Sequence, residues 1–230
     1  DEAVTRLPQG LHLVRYDTRG HGLSTCPPAP YQMGKLIHDA ERLIEALDLS
    51  DVVFVGLSIG GMIAQGLAAK RLDLVRAVVL SNTAPKIGTR ALWQERIAQV
   101  AGHGLETMSD TIMERWFSKE FRESPAVTPW RRMVETTPRD GYAGCCSAIA
   151  GTDFYTTTAD LRLPAQVIAG DSDGSTPPDL VRELSELIPG ARYDLIRGAG
   201  HLPCVEKPDE YAEILTRFFR DTGHLPGGAS

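Results

Sequence analysis

Val52-Val53-Phe54-Val55-Gly56-Leu57-Ser58-Ile59-Gly60-Gly61-Met62 is the stretch from which the rest of the chain is read. The apolar residues at its start suit a short buried strand. From Ile59 onward small residues suit a helix packed closely on a sheet. Between the two lies Gly-x-Ser-x-Gly, a strand-to-helix turn on which a serine hydroxyl can be held exposed as a nucleophile. Side chains in place of the flanking Gly56 and Gly60 are expected to collide with the turn and with the neighbouring strand and helix. Five residues alone are weak evidence, and their setting gives them weight.

Upstream, Leu11 to Asp17 reads as a strand ending in the loop Thr18–Gly22. Residues 32–48 place Met33, Leu36, Ile37, Leu43, Ile44 and Leu47 at helical spacing. Downstream, residues 59–70 read as a helix and Val75 to Leu80 as a strand. Strand and helix alternate through short links, which predicts an α/β fold with a mostly parallel sheet covered by helices on both faces. Residues 88–150 break that rhythm. Helical patterns over 91–101, 105–117 and 139–149, with a Pro-containing break near Ser124–Pro129, predict an inserted helical cap. The strand pattern resumes at Gln166–Gly170. Thr176 as N-cap with Pro177 after it predicts a helix over 177–188. Arg192–Ile196 is the last expected strand and 208–220 the last helix, before a Gly/Pro-rich tail from His224 that is expected to fray. The expected division is therefore 1–87 and 151–230 for the core and 88–150 for the cap.

Composition narrows the function. The 230 residues carry a net charge of −6 with no basic block, which argues against a nucleic-acid partner. No apolar run reaches the roughly 18 residues a membrane helix needs, and the start shows no secretory leader pattern. Cys26, Cys145, Cys146 and Cys204 form neither CxxC nor a zinc spacing. The adjacent Cys145 and Cys146 suit packing in a reducing cytoplasm. No cluster of His, Asp and Glu has ligand spacing, so neither metal nor cofactor is expected.

Ser58 needs a base, because a serine hydroxyl is scarcely ionised at neutral pH. His201, in the loop Gly198–His201 just past a late strand, is the candidate. The acid that orients it should follow the preceding strand, where Asp171 and Asp173 both qualify. Asp173 is favoured because it stands three residues past Gly170 and can turn back toward the His201 loop. Asp171 is expected to serve the turn. The backbone N–H of Ile59 is the expected first oxyanion donor.

The segments Tyr16-Asp17-Thr18-Arg19-Gly20-His21-Gly22-Leu23-Ser24 and Gly56–Met62 mark the α/β-hydrolase superfamily. Narrower signals are Ser81–Gly88, Glu114-Arg115-Trp116-Phe117, Asp140–Ile149 and Gly170–Pro178. Together they resemble the 3-oxoadipate enol-lactonases over residues 10 to 220. The resemblance implies hydrolysis of a small carboxylated enol-lactone to 3-oxoadipate in the breakdown of aromatic compounds. Its triad positions fall on Ser58, Asp173 and His201. Trp116 is expected as a pocket wall or as cap packing. Arg115, Arg131 and Arg132 are candidates for the substrate carboxylate, each also readable as a solvated cap residue. His21 reads as a turn residue.

Two departures stand out. Ala150-Gly151-Thr152-Asp153-Phe154 replaces the Arg-Asp pattern usual in the family, so a local cap contact is expected to differ. The family also carries a strand and loop ahead of this start. They supply the second oxyanion donor, and the strand lies between those of 11–17 and 52–56. The expectation is an N-terminally incomplete form with an open groove in that place. Other esterases, cofactor-free haloperoxidases, carbon–carbon bond hydrolases and a non-catalytic receptor on the same scaffold share these motifs.

Overall fold

A computed structural model describes residues 2–225. Four parallel strands, β1 (Val52–Leu57), β2 (Val75–Ser81), β3 (Ala165–Gly170) and β4 (Arg192–Ile196), pair in the spatial order β1-β2-β3-β4. The helices are α1 (Glu2–Thr5), α2 (Met33–Ala46), α3 (Ile59–Lys70), α4 (Arg90–His103), α5 (Ser109–Trp116), α6 (Lys119–Arg122), α7 (Thr128–Glu135), α8 (Arg139–Ala150), α9 (Tyr155–Ala159), α10 (Pro178–Leu187), α11 (Pro203–Glu206) and α12 (Pro208–Asp221). No helix among the described residues is long and apolar enough to cross a membrane.

The two-residue period of the strands sorts the core into layers. Val78, Leu80, Val167 and Ala169 point into one cluster with α2, α3 and α10. Ala77, Val79, Ile168 and Ile196 point into the other, against α1 and α12. β3 is buried along its whole length and β2 nearly so, hence their continuous apolar runs.

Helices α4 to α8 lie between β2 and β3 in the chain and carry a third cluster of their own, with Ile112, Met113 and Phe117 fully buried. This insert is not a separate body. Trp93 of α4 and Cys145, Cys146, Ala148 and Ile149 of α8 belong to the main core. Close backbone approach fixes that seam: a Cβ on Gly141 of α8 would lie 1.9 Å from the Gly20 carbonyl oxygen.

The structure corrects several sequence expectations. Residues 11–17 run without secondary structure and pair with no strand. Between them and β1 lies an apolar groove of about 700 Å³, lined among others by Leu13, Tyr16, Val53, Val55, Leu47 and Phe219. The groove keeps the segment out of hydrogen-bonding reach of β1, so its strand-like composition finds no ladder. Helices α7 and α9 arise where no helix was expected, α7 at the Pro-containing break with Pro129 in its first turn. Thr176 does not cap α10; Pro177 stands at the N-cap and the Thr176 hydroxyl is used elsewhere. The tail does not fray at its start. Leu225 is buried and His224 Nε2 lies 2.6 Å from the Asp51 carbonyl oxygen, while residues 226–230 fall outside the described residues.

Candidate active site

All the candidate chemistry gathers at the C-terminal ends of the strands. Ser58 joins β1 to α3 with φ +56° and ψ −120°, a left-handed conformation that costs a non-glycine residue about 1–3 kcal/mol. Its surroundings hold it there. The Ser58 N–H donates to the Ser81 carbonyl at 2.9 Å. The Ser58 carbonyl accepts from Gly61 N–H at 2.9 Å, Met62 N–H at 3.2 Å and the Thr83 hydroxyl at 2.7 Å. A Cβ on Gly56 would come within 2.2 Å of the Gly60 carbonyl oxygen, and one on Gly61 within 2.4 Å of the Thr83 methyl. Gly60 itself has open space, so the expected crowding falls on Gly56 and Gly61 rather than on Gly56 and Gly60. The Ile59 N–H stands at the first position of α3, where the helix supplies no acceptor and its dipole favours negative charge.

Asp173 lies in the turn after β3 and His201 in the loop after β4. Both are buried, and Asp173 Oδ2 is 2.8 Å from His201 Nδ1. The carboxylate also accepts from Ser175 N–H (2.6 Å), Thr176 N–H (3.0 Å), the Thr176 hydroxyl (2.7 Å) and Asn82 Nδ2 (2.9 Å). Burial pushes its pKa up, but bonds from His201, Asn82 and Thr176 outweigh that, and the carboxyl is held below its ordinary value. An ionised carboxylate only accepts, so the shared proton sits on Nδ1, and in the neutral imidazole Nε2 is then the nitrogen that carries the lone pair. Asp171 is exposed and accepts from Gly198 N–H at 2.8 Å, tying the β3 and β4 loops together. It has the turn role expected of it.

Asn82 was not singled out in the sequence, yet it links the parts. It follows Ser81, the residue that accepts the Ser58 N–H, and has φ +46°. From there Nδ2 reaches both Asp173 and, at 3.3 Å, the Gly200 carbonyl. An Asn at a strand end is the signal, since Asn tolerates left-handed backbone better than most residues. The Ser58 hydroxyl is half-buried and has no hydrogen-bond partner among the described residues, His201 included.

The cap meets this site through backbone. His201 N–H donates to the Trp116 carbonyl at 2.7 Å, and Gly174 N–H to the Arg115 carbonyl at 3.1 Å. The Trp116 side chain is half-buried and packs with the cap cluster. Arg131 pairs with Asp110, Arg132 with Glu135 at 3.0 Å, and Arg115 Nε donates to the Gly174 carbonyl at 3.4 Å. Two of the three arginines are thus engaged with cap carboxylates. His21 Nδ1 lies 3.2 Å from the Arg19 carbonyl oxygen within its own turn. At the departure noted in 150–154, Asp153 pairs with Lys86 at 2.9 Å. Burial pushes the Cys145 and Cys146 thiols up to about 12, which removes them as nucleophiles. Among the described residues no group of three or more His, Cys, Asp or Glu side chains is arranged to hold a metal ion.

Parallel strands, a serine strained at the β1–α3 turn and a histidine–carboxylate pair beyond β3 and β4 define a hydrolase-type α/β protein. The chain belongs to the alpha/beta hydrolase fold family, whose model matches residues 3–208. Within that family it is 33% identical to 3-oxoadipate enol-lactonase 2 of Acinetobacter baylyi over 201 residues, covering 86% of this chain and 75% of that protein. The crystal structure of the enol-lactonase from Burkholderia xenovorans LB400 superposes with a TM-score of 0.85 at 34% identity, over 89% of this chain and 79% of that one. A bromoperoxidase from Bacillus anthracis is also similar, with a TM-score of 0.82 at 25% identity over 90% of this chain and 80% of that one.

Proposed function

We propose that this chain hydrolyses 3-oxoadipate enol-lactone to 3-oxoadipate, with Ser58 as nucleophile, His201 as general base and acid, and Asp173 as the group that orients the imidazole. The observation that carries the reading is the strained φ of Ser58 together with a buried His201 whose Nδ1 is committed to Asp173. Strain of this kind persists only where the surroundings impose it, and here it comes with a hydroxyl that has no hydrogen-bond partner among the described residues. The likeness to two enol-lactonases supplies the substrate class.

Ser58 Oγ, rotated toward His201 Nε2, gives up its proton and attacks the lactone carbonyl. The carbonyl oxygen takes the negative charge and is met by the Ile59 N–H. The ring C–O bond breaks, and the enol oxygen leaves with the proton held on His201. The enol then becomes the ketone, a product that does not readily re-form the ring. Water, deprotonated by His201, cleaves the acyl-serine and restores Ser58. Trp116, in the cap segment that touches the His201 loop, serves as the substrate-side wall in this reading. The compartment is the cytoplasm and the setting is aromatic catabolism.

Bromoperoxidase likeness favours a second reading, an esterase or cofactor-free perhydrolase on the same residues. Rates on 3-oxoadipate enol-lactone and p-nitrophenyl acetate separate the two. A preference for the lactone of at least about 100-fold in kcat/KM is expected, corresponding to about 2.7 kcal/mol of differential transition-state binding. Equal rates, or faster cleavage of the acetate, would remove the lactonase assignment while leaving the hydrolase.

A further inference from the structure

The loop that carries His201 is gripped, at the peptide just before the histidine, by one carboxylate that the chemistry above leaves unused. Glu206 ends α11, five residues beyond the histidine. Its Oε1 accepts the Gly200 N–H at 2.7 Å. Its Oε2 accepts the Ser118 N–H at 3.0 Å and the Ser118 hydroxyl at 2.5 Å. Ser118 stands two residues after Trp116, whose carbonyl takes the His201 N–H at 2.7 Å. The contacts close a ring: Gly200–His201 to Trp116, along the cap to Ser118, across to Glu206, and back to Gly200. Backbone packing inside the ring leaves no room for a side chain on Gly200, where a Cβ would lie 2.5 Å from the Trp116 carbonyl oxygen.

We propose that Glu206 is a positioning residue that locks the cap segment 116–118 to the His201 loop, so that seating of the cap sets the aim of the imidazole. The inference rests on the reading of His201 as the base. Three donors converge on this side chain, one on Oε1 and two on Oε2, so both oxygens must accept. Glutamine keeps one acceptor oxygen but turns an NH₂ toward an N–H. The Gly200–His201 peptide is held by Asn82 on the Gly200 carbonyl and Trp116 on the His201 N–H, and the preceding Ala199–Gly200 peptide by Ser172 on the Ala199 carbonyl and Glu206 on the Gly200 N–H, so losing the Glu206 bond frees one side of the peptide just before His201 without emptying the core. Misplacement of a catalytic group by about 1 Å costs on the order of 100-fold in rate.

The test compares wild type, Glu206→Gln, Ser118→Ala and the double variant. It reads kcat and KM on the lactone, Tm, and the low-field proton NMR signal of the His201 Nδ1–Asp173 bond. Glu206→Gln should lower kcat about 10- to 100-fold with KM within about threefold, and broaden the low-field signal. Ser118→Ala should do the same in smaller measure, and the double variant should be less impaired than the product of the two single losses. An unchanged kcat together with an unchanged NMR signal in Glu206→Gln overturns the proposal. So do losses in the two single variants that multiply fully in the double. If Glu206→Gln fails to fold, Ser118→Ala carries the same comparison. If wild type itself leaves the lactone untouched, the functional reading fails on its own and the NMR comparison still decides the coupling.

Discussion

The two flanks of the sheet are built to different standards. At the β3–β4 flank, Gln166 to Gly170 are in register with Arg192 to Ile196, and the loops beyond them bury Asp173 and His201 in a web of bonds from four segments of chain. At the β1 flank, a single neighbour, β2, supplies the ladder, and the other edge faces a groove with Val55 at 42% exposure. Ser58 therefore follows an edge strand whose outer side is open. What compensates is local: the bonds of Ser58 to Ser81 and Thr83, and the close approach at Gly56. A site can thus be held on one side through tertiary enclosure and on the other through a few short bonds and close backbone approach.

That contrast can be broken or sharpened. Ser58→Ala should lower kcat on the lactone by about 10⁴-fold or more while ligand binding persists, measured by steady-state kinetics and calorimetry. Residual turnover within tenfold of wild type would place the nucleophile elsewhere. Stability should divide along the same line. Ile168→Ala, on a strand with no exposed residue, should cost about 2–5 kcal/mol in denaturant unfolding. Val55→Ala at the open edge should stay within about 0.5 kcal/mol. Similar losses at both positions would mean that the groove is occupied and the two flanks are alike.

Asn82→Ala, which removes the link from the β2 end to both Asp173 and Gly200, should reduce kcat about 10- to 100-fold with little change in KM. A KM effect without a kcat effect would put Asn82 on the substrate rather than behind the acid. The smallest effect is in pH. The Asp173 carboxyl is held below its ordinary value, so it stabilises the fold above its unfolded pKa of about 3.9, and that contribution is lost as pH falls through the lower folded value. The stability gap between wild type and Asp173→Asn, followed by urea unfolding, should narrow steadily from pH 5 downward. A gap independent of pH would show that the carboxylate charge contributes nothing.

Local sequence carried much of this. The pattern around Ser58 is self-contained, since strand, tight turn and small-residue helix are all specified within a dozen residues, and β1 and α3 lie where that pattern puts them. That His201 and Asp173 should meet was legible because each follows a strand by a few residues, and the structure brings the two side chains together. Residues 11–17 were not legible, because an apolar run becomes a strand only if a partner ladder is within reach. The role of Thr176 was misread for a related reason. A threonine before two prolines is a good helix cap locally, but a buried carboxylate competes for the same hydroxyl and wins. Asn82 and Glu206 act across 91 and 88 residues of chain respectively, on Asp173 and Ser118, a separation over which no local pattern speaks.

The most direct measurement is the site and rate of covalent labelling by a serine-directed fluorophosphonate, located by peptide mass spectrometry. The adduct should sit on Ser58 alone, vanish in Ser58→Ala, and form orders of magnitude more slowly in His201→Ala than in wild type. An adduct on another residue, or a labelling rate untouched by removal of the imidazole, would contradict the assignment of Ser58 and His201 as a working pair.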